Sequence, residues 1–130
     1  MNRFRIRDAA ALLGVSDDTV RRCIERGDLS AEEDASGRLV IAGTVLAAYA
    51  REHANPPPQV LATSSSARNR LAGLVTAVTS DRVMSEVELQ CGPFTVVSLM
   101  STRSVERLGL KPGSLAVAVV KATTVVVDTP

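Results

Sequence analysis

Two small domains of opposite character are expected from these 130 residues: a mainly α N-terminal one and an all-β C-terminal one. Two observations predict this. Residues 1–65 are rich in Ala, Arg, Asp and Glu, with apolar residues at helical spacing, whereas residues 66–130 are rich in Val, Ser and Thr and alternate with period two. Between them lies an aperiodic stretch holding Asn55-Pro56-Pro57-Pro58 and Ser64-Ser65. Proline fixes φ and removes a donor, so this stretch reads as an extended, semi-rigid spacer. The boundaries that follow are residues 1–53, a linker over 54–65, and residues 66–130.

In the first half, Ile6 to Ser16 reads as a short helix, a turn and a cap. Ala9, Leu12 and Leu13 recur at helical spacing, and Gly14 is placed to end the helix. Ser16 then caps a second helix, with Asp17 and Asp18 in the first turn, where acidic groups suit the positive end of the helix dipole. Val20, Cys23 and Ile24 form its buried face, and Gly27 ends it. Two short helices joined by Leu13-Gly14-Val15-Ser16 carry the helix-turn-helix signature. Beyond them, Ala35-Ser36-Gly37-Arg38 suits a hairpin tip. A third helix over Gly43–Glu52 turns Val45, Leu46 and Tyr49 inward.

Residues 4–52, with Ala9-Ala10, Leu12-Leu13-Gly14-Val15-Ser16 and Thr19-Val20-Arg21-Arg22 followed by Gly27-Asp28-Leu29, resemble the excisionase and mercury-regulator type of winged helix. That resemblance implies a partner, double-stranded DNA. Thr19 and Arg22 would enter the major groove, Ser16 and Arg21 would contact phosphates or base edges, and Arg38 in the wing would take a backbone phosphate. The chain departs from the pattern at Asp17 and Asp18, and at Glu32, Glu33 and Asp34 in the wing. Residues 1–65 carry 8 Arg against 9 Asp and Glu. Affinity for DNA comes mainly from neutralised phosphates, so one copy is expected to bind weakly and two or more to be needed. The alternative for these three helices is a dimerisation or protein-docking module, and for Arg21-Arg22 a solvated basic pair.

In the second half, Leu74–Thr79 reads as a strand, Ser80-Asp81-Arg82 as a turn and Val83–Cys91 as a second strand. Val87, Leu89 and Cys91 there alternate with Glu86, Glu88 and Gln90. Gly92-Pro93 turns the chain into Phe94–Met100. Ser104–Leu108 makes one helical turn, Ser114–Lys121 a fourth strand and Thr123–Val127 a fifth. Five short strands with a small helix between the third and fourth match an OB-like barrel. Its core would hold a single aromatic, Phe94. About sixty residues built on Val and Leu bury little apolar surface alone, so an oligomer is expected, with Leu115–Val120 and Val125–Val127 packing on another subunit.

Hydroxyls, a guanidinium and an ammonium cluster at Ser66-Ala67-Arg68-Asn69 and at Lys121-Ala122-Thr123. Such donors can satisfy several oxygens of a tetrahedral dianion at once, and none of them could transform it. Taken singly, Arg68 could instead pair with Glu86 or Glu88, Lys121 could mark a strand end, and Ser66 could be a polar linker residue. With Leu71, Gly73, Ser104-Val105 and Leu108-Gly109-Leu110-Lys111-Pro112-Gly113 in the same order, the stretch Ser66–Asp128 resembles the Mop domain, the molybdate-binding TOBE-type module of molbindins and molybdate-responsive repressors. The resemblance implies a molybdate or tungstate oxyanion as ligand, held between subunits by Ser66 and Arg68 on one side. Ser101, Ser104, Lys121 and Thr123 would lie on the other. It also implies dimers or hexamers. Ser101 stands where Thr is common in that family and Thr123 where Ser is common, and both keep a hydroxyl.

No stretch approaches the ~20 apolar residues of a membrane span, and the N-terminus lacks a signal peptide's apolar core. Cys23 and Cys91 are too isolated for a Cys-x-x-Cys site and suit buried thiols in a reducing compartment, so a cytoplasmic location is expected. His53 has no ligand neighbours at metal spacing and reads as a solvated helix-end residue. With no nucleophile–base pair, carboxylate dyad or phosphate loop, an enzyme is not expected. The leading function is a molybdate-responsive transcriptional regulator. The alternative is a cytoplasmic molybdate store whose helical half serves assembly. A swapped-hairpin DNA-binding dimer built on Leu108–Gly113 would leave Ser66–Asn69 unexplained.

Overall fold

The fold is described from a computed structural model, for residues 2–54 and 65–130. Two compact units divide the chain, Met1–Asn55 and Pro56–Pro130. Most of the expected linker, residues 55–64, lies outside the described residues.

The N-terminal unit runs β1 (Arg3–Arg5), α1 (Ile6–Leu13), α2 (Asp17–Glu25), β2 (Glu32–Glu33), β3 (Leu39–Ala42) and α3 (Gly43–Glu52). Ile6, Ala9 and Ala10 form the buried stripe of α1, and Gly14 adopts the left-handed conformation (φ 69°) that lets its N–H close on the Ala10 and Ala11 carbonyls. Ser16 caps α2: its Oγ accepts the Thr19 N–H at 3.2 Å. Val20 and Cys23 face inward. Together with Leu29, Ile41 and Leu46 they make one core, against which Ile24, Val45 and Tyr49 pack. The three strands form an antiparallel sheet in the order β1-β3-β2. Its β2–β3 hairpin turns at residues 34–38, around Gly37 at φ 76°. His53 stacks on Tyr49 at 4.0 Å at the end of α3 and is exposed.

The C-terminal unit is a curled antiparallel sheet of four strands, β4 (Asn69–Ser80), β5 (Met84–Cys91), β6 (Phe94–Ser101) and β7 (Leu115–Val120), in the order β6-β5-β4-β7. The helix α4 (Thr102–Leu108) joins β6 to β7. Strand β4 serves two partners: residues 69–74 pair with β7 and residues 74–80 with β5, with a bulge between Val75 and Ala77. Gly73 sits at this handover. A Cβ there would lie 2.3 Å from the Gln90 carbonyl oxygen and 2.7 Å from Cys91 Sγ, so only glycine lets the strands approach this closely. On β5 the alternation buries Ser85, Val87, Leu89 and Cys91. Val75 and Val105 complete the core.

Two expectations are corrected. Thr123–Val127 is not a strand: Ala122–Thr124 forms a 3-10 turn, closed by Thr124 Oγ1 and N–H on the Lys121 carbonyl at 2.8 and 3.0 Å. The β-branched run that follows stays exposed, Val126 at 83% and Val127 at 82%. Local pattern favours a strand there, but a strand also needs a partner edge, and this turn leads the chain off its own sheet. Phe94 is not a core residue either. It is 63% exposed, next to the Gly92 turn, so the buried core of the β domain among the described residues is wholly aliphatic apart from Cys91 and Ser85. The sheet edges β6 and β7 flank an open apolar groove lined by Val97, Leu99, Leu108, Leu115 and Val119 among others.

Candidate functional site

The antiparallel register of β4 and β7 places Asn69 opposite Val120. One step beyond that pair stand Arg68 and Lys121, both exposed. Two strand ends therefore carry a guanidinium and an ammonium in neighbouring positions. Asn69 ties the ends together, its Nδ2 donating to the Val120 carbonyl at 3.2 Å. Ser66 lies two residues before Arg68. Thr123 lies two residues after Lys121, in the 3-10 turn that Thr124 closes. Among the described residues no ion pair involves Arg68 or Lys121. Glu88 is engaged elsewhere, accepting from Thr76 Oγ1 at 2.9 Å beside Ala77. Like charges so placed repel, and a bound anion relieves that repulsion.

Ser101 and Ser104 stand apart from this cluster. Ser101 ends β6, opposite Met84, and caps α4. Its Oγ accepts the Ser104 N–H at 3.1 Å and donates to Ser104 Oγ at 2.7 Å. Having accepted that proton, Ser104 keeps its own hydroxyl hydrogen for another acceptor. Met84 follows the turn that ends β4 at Ser80, whereas Arg68 precedes its start at Asn69. The twelve residues of β4 separate the two clusters, a contour of about 35 Å at ~3.3 Å per residue. One chain thus brings Ser66, Arg68, Lys121 and Thr123 to one end of β4 and Ser101 and Ser104 to the other.

In the N-terminal unit, Ser16 and Thr19 share the α2 cap, their hydroxyls 2.9 Å apart. Arg21 and Arg22 are exposed on α2, and Arg22 Nε lies 3.4 Å from the Asp18 carbonyl. Arg38 is exposed at the hairpin tip. The acidic residues of this hairpin are partly occupied. Asp34 Oδ1 accepts the N–H groups of Ser36 at 2.8 Å and Arg38 at 3.0 Å. The Arg38 N–H, then that of Ser36 and the charges of Arg38 and Arg5, hold the Asp34 carboxyl below its usual range. Glu32 lies 3.9 Å from Arg3. Sequence reasoning missed the tip-forming role of Asp34, although an Asp two residues before Ser36 is the usual Asx-turn signal. It also missed the clamp made by Asn69, for which spacing gives no signal.

Cys23 and Cys91 are buried free thiols. Cys23 Sγ lies 3.2 Å from Tyr49 Oη, and this contact raises the phenol's pKa. Among the described residues no group of three or more His, Cys, Asp or Glu could hold a metal ion. No helix among them is long and apolar enough to cross a membrane.

A helix-turn-helix unit followed by a curled β domain with an anion-suited cluster at one strand end defines the class. Residues 65–127 match the TOBE domain and residues 4–54 a helix-turn-helix domain. The chain belongs to the TOBE domain family through its C-terminal half, with a helix-turn-helix domain at its N-terminus. Molybdenum-pterin-binding protein 3 of Clostridium pasteurianum is 45% identical over 65 residues, which are 49% of this chain and 96% of that protein. The molybdenum transport protein ModE of Herbaspirillum seropedicae is 36% identical over 66 residues, 50% of this chain but only 24% of its own length. Among solved structures, a molybdate-binding protein from Sporomusa ovata superposes with a TM-score of 0.50 at 30% identity, covering 52% of this chain and 100% of that one.

Proposed function

We propose that the protein is a molybdate- or tungstate-binding transcriptional regulator. The β domain holds the oxyanion at a subunit interface, and the helix-turn-helix unit reads DNA. The observation that carries this is the placement of Arg68 and Lys121 one residue beyond the Asn69–Val120 pair that joins β4 to β7, flanked by Ser66 and Thr123, in a half whose relatives are named for binding molybdenum species. The position of Ser101 and Ser104 at the other end of β4 supports a site in which one copy supplies Arg68 and Lys121 and a second supplies the serine pair. Each N–H···O or O–H···O contact to the dianion is charge-assisted, and so stronger than a neutral one. The protein acts in the cytoplasm as a homo-oligomer, and occupancy alters the spacing of two helix-turn-helix units and hence operator affinity. On the DNA side, Thr19 and Arg22 reach the groove, while Ser16, Arg21 and Arg38 hold phosphates.

The test is calorimetric titration of oxyanion-free protein with molybdate, with sulfate at equal ionic strength as control. Saturable molybdate heat that Arg68→Ala and Lys121→Ala each reduce at least a hundredfold in affinity supports the reading. Absence of heat together with an unchanged melting temperature overturns it. A second reading, molybdate storage with the helical unit used for assembly, is favoured by the exposed Asp17 and Asp18 in the first turn of α2. A DNA shift assay separates the two: binding that weakens steeply with salt belongs to the regulator.

A further inference from the structure

Among the described residues of the β domain, Ser85 is the buried polar one, 1% exposed, in a core otherwise made of Val75, Val87, Leu89, Cys91 and Val105. Burying a hydroxyl there costs free energy unless it is bonded. Its Oγ lies 2.6 Å from Ser80 Oγ and 2.9 Å from Thr102 Oγ1. Thr102 Oγ1 in turn donates to the Asp81 carbonyl at 2.9 Å, and the Thr102 N–H donates to the Val83 carbonyl at 2.9 Å. A hydroxyl has one proton. Thr102 spends its proton on Asp81, so Ser85 must donate to Thr102, and Ser80 to Ser85. The chain therefore has one direction, Ser80 to Ser85 to Thr102 to the Asp81 carbonyl, and each link polarises the next. The Asp81 carboxylate fixes the same turn from outside, accepting the N–H groups of Val83 and Met84 at 2.8 Å each.

We propose that this buried hydroxyl relay, Ser80–Ser85–Thr102, is a positioning device for the serine half of the oxyanion site. This rests on the oxyanion reading above. Thr102 is the first residue of α4, directly after Ser101 and two before Ser104. Anchoring Thr102 by both its N–H and its hydroxyl fixes where the Ser101–Ser104 pair stands and where the remaining Ser104 proton points. Neither Ser85 nor Thr102 touches the ion. They act through the backbone between β6 and α4, as partners of ligating residues do in metal sites.

Ser85→Ala and Thr102→Val remove one link each with little change in shape, while Thr102→Ser keeps the hydroxyl. Molybdate titration well below the melting temperature is expected to show about tenfold weaker binding for the first two, the lower end of the loss seen when an orienting partner is removed. Thr102→Ser should stay within about twofold of wild type, a rescue that a packing role alone would not give. Amide hydrogen exchange of ligand-free protein is the second readout, with faster exchange at residues 102–104 expected in Ser85→Ala and Thr102→Val. Wild-type affinity in folded Ser85→Ala and Thr102→Val overturns the proposal, as does unaltered exchange at those amides. Should Ser85→Ala not fold, Ser80→Ala at the exposed end of the relay takes its place: weaker binding with faster exchange supports the device, and unchanged values for both sink it. If wild-type protein itself gives no molybdate heat, the oxyanion reading fails, and the exchange data still decide whether the relay holds the start of α4.

Discussion

The helical unit closes on itself and the β unit does not. Among the described residues, the first gathers Ile6, Ala9, Ala10, Val20, Cys23, Leu29, Ile41 and Leu46 into one buried cluster within about fifty positions. The second, with more residues, buries Val75, Val87, Leu89, Cys91 and Val105, and leaves Leu74, Leu99, Leu108, Leu115 and the Val125–Val127 run largely exposed. The helical unit places most of its large apolar side chains in or against its own core, with Leu12, Val15 and Leu39 left exposed, while the outer face of α2 and the hairpin tip are polar. The β unit keeps two open sheet edges and an apolar groove, the surface expected of a domain completed by other copies. Its anion-suited residues are divided in the same manner, one set at each end of β4.

The largest effect is expected from Ile41→Ala. Ile41 is fully buried in the core where β3 packs on α1 and α3, and truncation should cost about 3 kcal/mol. Calorimetry should show the helical transition falling by many degrees with that of the β unit unmoved. A matching fall in both would break the comparison. Val126→Asp should act on the other side. Val126 is 83% exposed in a single copy, so the charge leaves the isolated fold intact. If the tail packs between copies, sedimentation should reveal smaller species, and an unchanged oligomer would remove Val126 from the interface.

The smallest effect concerns acid. Asp81 is held below its usual 3.8 by the Met84 and then the Val83 N–H, and Asp34 by the Arg38 and then the Ser36 N–H. A depressed folded pKa contributes stability above the unfolded value, lost as pH falls through the folded one. Both turns should therefore weaken only below about pH 4. Asp81→Asn should flatten that loss for the β unit alone, as followed by its melting temperature against pH. Equal flattening of the helical transition would count against two independent units.

What could be read from the sequence follows how local each determinant is. The end of α1 and the start of α2 agree with expectation because Gly14 and Ser16 act within a turn, and α3 spans Gly43–Glu52 as its apolar spacing predicts. Strand β5 was legible from its alternation. β4 begins at Asn69, five residues before the alternation that marks it, because its first half is defined by pairing with β7 some forty residues later. β1 was not legible for the same reason: Arg3–Arg5 becomes a strand by pairing with β3. The Val125–Val127 run has strand composition without a strand edge in its own chain. For the candidate site, residue types gave an oxyanion chemistry, and the family resemblance gave the residue list. The division of that list between the two ends of β4 rests on register alone, which no local pattern encodes.

That division has a consequence for how an ion would be sensed. A dianion bridging two copies stabilises the contact between them by the same factor that the contact adds to ion affinity, since the coupling is reciprocal. Diluting the protein at a fixed ion concentration would then empty the site, and adding the ion would restore association. Such a sensor reports a product of two abundances, that of the anion and that of its own chain, and its threshold moves whenever the cell changes how much of the protein it makes.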